Sequence, residues 1–407
     1  MNLYSKRRER LMKDLGNNTM AIFFSSDNVY DPENGFKVNR NFYYLTGLEK
    51  PQMVLLLDNR RNMQREYLFI LPFDEVEARW IGGRMSKQKA SEISEVQIVK
   101  DLAELDNTVN NLLDYSRAEK DFKVYLDLWH VDNYVSLAMN YAERLNKEFP
   151  AILIKDVFPL ITNMRLIKDE YELTCIKQAI SITNQGIQSM MKTIKPGINE
   201  MAMEGVFNFV LAQNVCNENA FKTIAASGER ATILHYSENN NIAKDGELFL
   251  TDLGATFKHY CADITRTFPV NGKFSEREKE IYQIVLDVQK LVEANARVGV
   301  KLRDLNKLVI DYYKQELPKH GLTKDVSEYY FHSISHHLGL DVHDVDGGLG
   351  AILEAGMVIT NEPGLYIADE GIGVRIEDDL LITATGAECL SKDIIKEVSD
   401  IEEFMKK

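Results

Sequence analysis

Two pairs of acidic residues sit where β-hairpins would bring each pair together. Leu248-Phe249-Leu250-Thr251-Asp252 and Cys261-Ala262-Asp263-Ile264-Thr265 are strand-like runs, and a turn centred on Phe257-Lys258 predicts Asp252 directly across from Asp263. Met357 to Glu362 and Gly373 to Glu377 reflect about Asp369-Glu370, which predicts Glu362 opposite Glu377, with Pro363-Gly364 bending the strand. Any one of these acids alone would be read as a surface charge or a turn residue. Like charges across a strand pair repel, so such pairs persist only with a shared proton or a cation between them. Four inward carboxylates in one cleft suit hard divalent cations, which prefer oxygen ligands, so a centre of two divalent metal ions is expected. Ser335-His336-His337-Leu338-Gly339 adds an imidazole. Four carboxylates and one histidine favour manganese or a similar ion over structural zinc, which prefers thiolates and several histidines.

Helices must flank these hairpins. Lys168-Asp169-Glu170 opens a stretch with Leu173, Ile176, Ile180, Ile187 and Met190 at helical spacing. Pro196-Gly197 follows, then a shorter helix with Met203, Phe207 and Val210, then an extended segment ending in Ile233-Leu234-His235. A second long helix starts at Ser275, where Ser275 and Glu278 form a capping box, and runs to a turn at Gly299. A shorter helix and an extended segment ending in Asp341-Val342-His343 come next. Each copy then presents its acidic pair, so the second half reads as an internal duplication with a pseudo-twofold relation. Upstream, short apolar runs such as Met53 to Leu57 and Tyr67 to Leu71 alternate with helical stretches, the pattern of an α/β domain. The pattern changes after Phe158-Pro159, which sets an N-terminal domain at 1–164 and a catalytic domain at 165–407.

Composition excludes several classes of function. A chain of 407 residues exceeds one ordinary core, and 45% apolar with 27% charged residues is typical of globular proteins. The formal charge of −14 argues against nucleic acid, which needs a clustered positive field. Lys6, Arg7, Arg8 and Arg10 form the one basic cluster, interrupted by Glu9, and are expected on the solvated face of a first helix. The N-terminus lacks a signal-peptide apolar core, and no apolar run approaches the roughly 18 residues of a membrane span. Cys175, Cys216, Cys261 and Cys389 are scattered without C-x-x-C spacing, as expected of reduced packing thiols in a cytoplasmic protein.

Residues 165–390 resemble the catalytic domain of aminopeptidase P, the Xaa-Pro aminopeptidase branch of the pita-bread metallopeptidases. The resemblance rests on Ala226-Ser227-Gly228, Leu234-His235-Tyr236, Thr251-Asp252-Leu253-Gly254 and Asp263-Ile264-Thr265-Arg266-Thr267-Phe268-Pro269. It continues through Ser335-His336-His337-Leu338-Gly339-Leu340-Asp341-Val342-His343-Asp344, Glu362-Pro363-Gly364-Leu365-Tyr366 and Arg375-Ile376-Glu377-Asp378-Asp379. Asn41-Phe42-Tyr43-Tyr44-Leu45-Thr46-Gly47 and Trp80 are similar to that family's N-terminal domain.

The resemblance implies that Asp252 binds one metal, that His336 and Glu362 bind the other, and that Asp263 and Glu377 bridge both. It implies removal of the first residue from peptides with proline second. Glu362 would accept a proton from the attacking water, and His343, beside anionic Asp344, would donate to the tetrahedral oxyanion with His235 lining the peptide. His332, Tyr366 and Arg375 would shape the pocket for the proline ring, whose imide nitrogen carries no N–H. Tyr366 read simply as a core aromatic, and Arg375 as a partner of nearby acids, are the plainer alternatives. His332-Ser333 stands where the family usually has His-Gly, Asn361 precedes the metal glutamate, and the Tyr366 to Arg375 linker is short, which bears on substrate preference. Two other functions remain open at this level: a prolidase cleaving only Xaa-Pro dipeptides, and a metal-free peptide-binding module of the same fold. By analogy the protein is a homodimer or homotetramer.

Overall fold

The computed structural model describes residues 3–26, 36–60, 63–116, 121–128, 135–216, 218–346 and 350–406. Met1 and Asn2, at the front of the expected N-terminal domain, and Lys407 lie outside the described residues. The chain divides into two compact units, Met1–Met164 and Arg165–Lys407. Among the described residues no helix is long and apolar enough to cross a membrane.

The first unit is built on a six-stranded sheet of β1 (Thr19–Phe24), β2 (Val54–Arg60), β3 (Met63–Ile70), β4 (Ile98–Asp101), β5 (Lys123–Leu126) and β6 (Leu153–Asp156), ordered β4-β3-β2-β1-β5-β6. Strand β2 pairs antiparallel with β1 on one side and β3 on the other, while β4, β5 and β6 join in parallel through helical crossovers. Met20, Ile22, Leu56, Phe69, Val124 and Leu126 point into one core with Val109, Leu113 and Leu145 from the covering helices.

The first helix, Leu3–Leu15, corrects one expectation. Lys6 and Arg10 are exposed, but Arg7 and Arg8 are buried. The Arg7 guanidinium lies 3.9 Å from the Tyr44 ring centroid and donates to the Tyr44 carbonyl oxygen at 3.1 Å. Arg8 donates to the Leu45 carbonyl at 2.8 Å and to Glu66 at 2.8 Å. The two cations satisfy last-turn carbonyls of the helix Arg40–Thr46, where the backbone leaves acceptors unpaired and the helix dipole is negative.

In the second unit the two halves repeat in detail. Helices Glu170–Thr193 and Glu276–Asn295 both begin with capping boxes, Asp169 with Glu172 and Ser275 with Glu278. Helix Glu170–Thr193 buries Ile176, Ile180, Ile187 and Met190, with Leu173 partly exposed. Each long helix ends before a glycine at φ +89°, Gly197 or Gly299, a backbone that disfavours a side chain. Gly197 N–H donates to Ala243 and Gly299 N–H to Leu353, and the shorter helices Glu200–Gln213 and Leu302–Glu316 follow. The bridges Asn199↔Ile242 and Lys301↔Ile352 match as well. The segments ending in His235 and His343 are irregular rather than extended: a 3-10 turn at Gly228–Thr232 precedes the first, and bends carry the second.

Strands β7 (Ile224–Ser227), β8 (Leu248–Leu253), β9 (Thr256–Phe257), β10 (Tyr260–Cys261) and β11 (Ile264–Pro269) form the first hairpin and its neighbour. The register departs from expectation by two residues: Asp252 pairs with Thr265, and Phe257 pairs with Tyr260. Lys258 and His259, at φ 52° and 64°, form the two-residue tip. Positive φ at both central positions is the mark of a type I′ turn, ordinarily signalled by Asn-Gly, so the sequence here does not advertise it. Because side chains alternate with period two, a two-residue slip leaves Asp252 and Asp263 on one face of the hairpin, now as diagonal neighbours.

The second hairpin keeps its expected register. It comprises β12 (Val358–Asn361), β13 (Gly364–Ile367), β14 (Ile372–Arg375), β15 (Asp378–Thr383) and β16 (Gly386–Cys389). Asn361 pairs with Asp378 and Gly364 with Arg375, so Glu362 and Glu377 face each other across the break that Pro363 introduces. The two hairpins meet where the Glu377 N–H donates to the Thr265 carbonyl at 3.1 Å. We expect Lys258→Asn combined with His259→Gly to stabilise the protein by about 0.5–1 kcal/mol by relieving left-handed strain. Urea midpoints measure this, and a loss of stability would contradict the turn type.

Candidate metal centre

Asp263, His336 and Glu377 each present a ligating atom within 4.8 Å of the others. The imidazole arrives on a segment that runs beside β12: His336 N–H donates to Thr360 Oγ1 at 3.1 Å and Thr360 N–H to the His336 carbonyl at 2.9 Å. His336 Nδ1 lies 3.1 Å from the His337 carbonyl, so Nδ1 carries the proton and Nε2 turns its lone pair to the acids. That Nε2 is 3.3 Å from Asp263 Oδ2 and 3.6 Å from Glu362 Oε1. Asp252 joins through Arg375, whose NH2 donates to Asp252 Oδ2 at 2.7 Å. The other oxygen, Asp252 Oδ1, is buried without a partner. All five sequence-predicted ligand positions thus belong to one connected cluster.

Electrostatics separate these acids from ordinary buried carboxylates. Burial and then the charges of Asp252, Asp379 and Glu362 push Asp263 well above the usual range. Burial and then Asp263, Glu362 and Asp252 do the same to Glu377. Glu362 also rises, chiefly through burial, against the opposing pull of His336 and Arg375. Asp378, between Glu377 and Asp379 in sequence, faces the other side of the strand. Burial opposes its ionisation, but Arg266 at 2.7 Å and Lys396 at 2.6 Å hold it down to about 2. One face of the strand brings cations to its acid; the other gathers acids. Oxygen donors, a lone-pair-presenting imidazole and an orphaned buried carboxylate oxygen fit hard divalent ions.

Two threonines complete the centre, and the acidic pattern does not single them out. Thr265 Oγ1 donates to Glu377 Oε2 at 2.6 Å and accepts from Arg375 Nε at 3.0 Å. Thr360 Oγ1 donates to Glu362 Oε1 at 3.2 Å. Each stands two residues from an acid just beyond the end of its strand, Asp263 before β11 and Glu362 after β12, and that spacing is the available signal. Asp379, another residue not anticipated, accepts the Asp263 N–H at 3.3 Å.

Beside the acids runs a directed chain of hydrogen bonds. Arg375 NH1 donates to the Tyr366 hydroxyl at 2.8 Å, and that hydroxyl lies 2.9 Å from His332 Nε2. His332 Nδ1 donates to the Ser333 carbonyl at 2.8 Å, which leaves Nε2 to accept from Tyr366. Burial, followed by Arg375, lowers His332 to about 4, so it stays neutral, and burial pushes Tyr366 up to about 12. Ser333 is exposed, so its hydroxyl needs no buried partner. Arg375 spends its fork on Thr265, Tyr366 and Asp252 and is thus a partner of the acids as much as a pocket wall. His235 and His343 are exposed, and the His343 ring is 4.2 Å from that of His336. Asp344 is not the partner of His343 that its sequence position suggested: its carboxylate is taken by Arg165 and Lys168.

A pH dependence follows for the metal-free protein. In the unfolded chain Asp263 and Glu377 ionise near the ordinary value of about 4, whereas in the folded chain they keep their protons to higher pH. The folded state therefore binds more protons above pH ~4, and stability falls as pH rises toward the folded values. Chelated protein should melt lower at pH 8 than at pH 5, and added divalent cation should remove the difference. Equal thermal midpoints for the chelated protein at both pH values would contradict the proposed electrostatics.

Comparison with known proteins agrees with this geometry. Residues 174–384 match the family described as Metallopeptidase family M24, and residues 4–122 match the Aminopeptidase P, N-terminal domain. The Xaa-Pro aminopeptidase of Escherichia coli (strain K12) is 34% identical, with 99% of this chain and 97% of that protein covered. A solved Bacillus anthracis structure named for aminopeptidase P superposes with TM-score 0.95 at 39% identity, covering 99% of this chain and 97% of that one. Aminopeptidase P from Escherichia coli with the inhibitor Pro-Leu gives TM-score 0.89 at 32% identity, with the same coverage. The second unit, with its paired halves, thus has the pita-bread fold, and the chain belongs to metallopeptidase family M24, in its Xaa-Pro aminopeptidase branch.

Proposed function

We propose that this protein removes the first residue from peptides whose second residue is proline, with Asp252, Asp263, His336, Glu362 and Glu377 holding two divalent ions. The observation that carries the reading is the convergence of Asp263, His336, Glu362 and Glu377 beside the hydrogen-bonded pair His332 and Tyr366. Relatives named Xaa-Pro aminopeptidase align along nearly the whole chain, and a related Escherichia coli structure is described as a zinc-substituted complex with product. Manganese is the proposed resident metal, in keeping with four oxygen ligands to one nitrogen. The free thiols support a cytoplasmic setting, and a homodimer or homotetramer completes the proposal.

Bound divalent ions supply Lewis acidity and make water deprotonation feasible near neutral pH. The chain's own residues do the rest. Asp252 would hold one ion and His336 with Glu362 the other, and Asp263 and Glu377, central in the cluster, would serve both. Glu362, a carboxylate within the cluster, would be the acceptor of the attacking water's proton. His343 and His235 stand exposed at the cleft, where each can donate to the developing oxyanion of the scissile carbonyl. Neutral His332 and un-ionised Tyr366 offer flat walls to a pyrrolidine ring without placing a charge against it. Because proline contributes no N–H, selection rests on shape at that position.

Manganese-loaded enzyme given an Xaa-Pro-Yaa tripeptide and an Xaa-Pro dipeptide should cleave the tripeptide faster, and a strong dipeptide preference would move the function to a prolidase. Asp263→Asn should lower kcat by more than about 100-fold while circular dichroism stays native; full activity would refute the shared-ligand role. His343→Ala should cost about 10²-fold in kcat with bound metal retained, and loss of metal would instead make His343 a ligand.

A further inference from the structure

His343 stands on a stretch without regular structure, so no helix or strand ladder fixes its position. The next residue does so. Asp344 is buried, and its carboxylate lies 2.5 Å from Arg165 NH2 and 3.1 Å from Lys168 Nζ. The side chains of Lys168 and Asp344 are 0% and 1% exposed. Arg165 also reaches Asp341, at 3.2 Å, at the other end of the same short stretch. The backbone is equally committed: Asp344 N–H donates to the His337 carbonyl at 3.0 Å, and Lys168 N–H to the Gly356 carbonyl at 2.9 Å. Gly339 makes room, since a Cβ there would lie 2.1 Å from Asp344 Oδ2 and 3.1 Å from Lys168 Cε.

Ions buried at this cost, none of them a proposed metal ligand, call for a role. We infer that Arg165 and Lys168 are positioning residues that clamp the Asp344 carboxylate and so hold the adjacent His343 imidazole where it meets the reacting carbonyl. The clamp acts through one peptide unit. Asp344 is the fixed point, His343 the neighbouring exposed side chain, and a displaced carboxylate swings the histidine with it. A misplacement of that size weakens an oxyanion donor without removing it. The inference rests on the proposed role of His343 in Xaa-Pro cleavage.

Lys168→Met keeps the length of the side chain and removes its charge. Made in the metal-loaded full chain, it should lower kcat about 10-fold, within the range of supporting-residue losses, with KM and bound metal unchanged. In the His343→Ala background the same substitution should add little, less than about 2-fold, because the group it positions is gone. Lys168→Arg should restore most of the lost turnover. Hydrogen exchange gives a readout independent of activity: amides of residues 339–346 should exchange faster in Lys168→Met while those of β8 and β11 stay as in the parent. Full additivity with His343→Ala, loss of metal, or unchanged exchange at 339–346 would each overturn the clamp. If Lys168→Met does not fold, Asp344→Asn replaces it under the same criteria. If the parent enzyme fails to cleave Xaa-Pro peptides, the functional reading falls, and the exchange measurement alone decides the clamp.

Discussion

Repulsion among carboxylates withdrawn from water governs the second unit. Glu377, Asp378 and Asp379 are consecutive, so the pleat sends the middle acid to one face and its neighbours to the other. On the Asp378 side the fold supplies Arg266, Lys396, Gln289 and Ser391, and the charge is settled within the protein. On the opposite side Glu377 meets Asp263 and Glu362, and the cation reaching that group, Arg375, is bound to Asp252. Desolvating like charges together is tolerable only through protonation or bound cations. The same strand thus carries a finished ion pair on one side and an unfinished one on the other, and the unfinished one is the centre proposed to hold the metal ions.

Supporting groups around the centre are arranged by the same logic. Thr265 and Thr360 each give a hydroxyl proton to an acid and so fix one oxygen, leaving the remaining lone pairs directed into the cluster. The two exposed histidines share a further pattern, in that each is followed by a buried anchor. Tyr236 donates to the buried Glu200 at 2.8 Å, and Asp344 sits between Arg165 and Lys168. Two exposed side chains proposed to meet a substrate are thereby carried on backbone held by buried neighbours.

Much of this was legible in the chain because strand alternation and helix caps are local. The acids, the imidazole, the capping box of Ser275 with Glu278 and the register of the second hairpin all follow from residues close in sequence. The first hairpin was misread by two positions because Lys258-His259 adopts a left-handed pair usually marked by Asn-Gly. Parity survived the slip, so the face assignment did too. Arg7 and Arg8 escape the composition argument because their partners lie far along the chain: the carbonyls of Tyr44 and Leu45, the Tyr44 ring and Glu66. The burial of Lys168 was invisible for a related reason: in sequence it opens a helix, and its partner Asp344 is 176 residues away.

That distance is general to the centre. Thr265 and Glu377 are 112 residues apart, and Arg375 and Asp252 are 123 apart. The acids of the first hairpin precede His336, Glu362 and Glu377 in the chain, so the cluster closes only once most of the second unit has been made. Long-range closure of this kind is slow because chain entropy is spent before contacts repay it. Closure of the cluster, and with it capture of the proposed ions, therefore waits on distant parts of the chain, and a product truncated before Arg375 would lack contacts that close the unit.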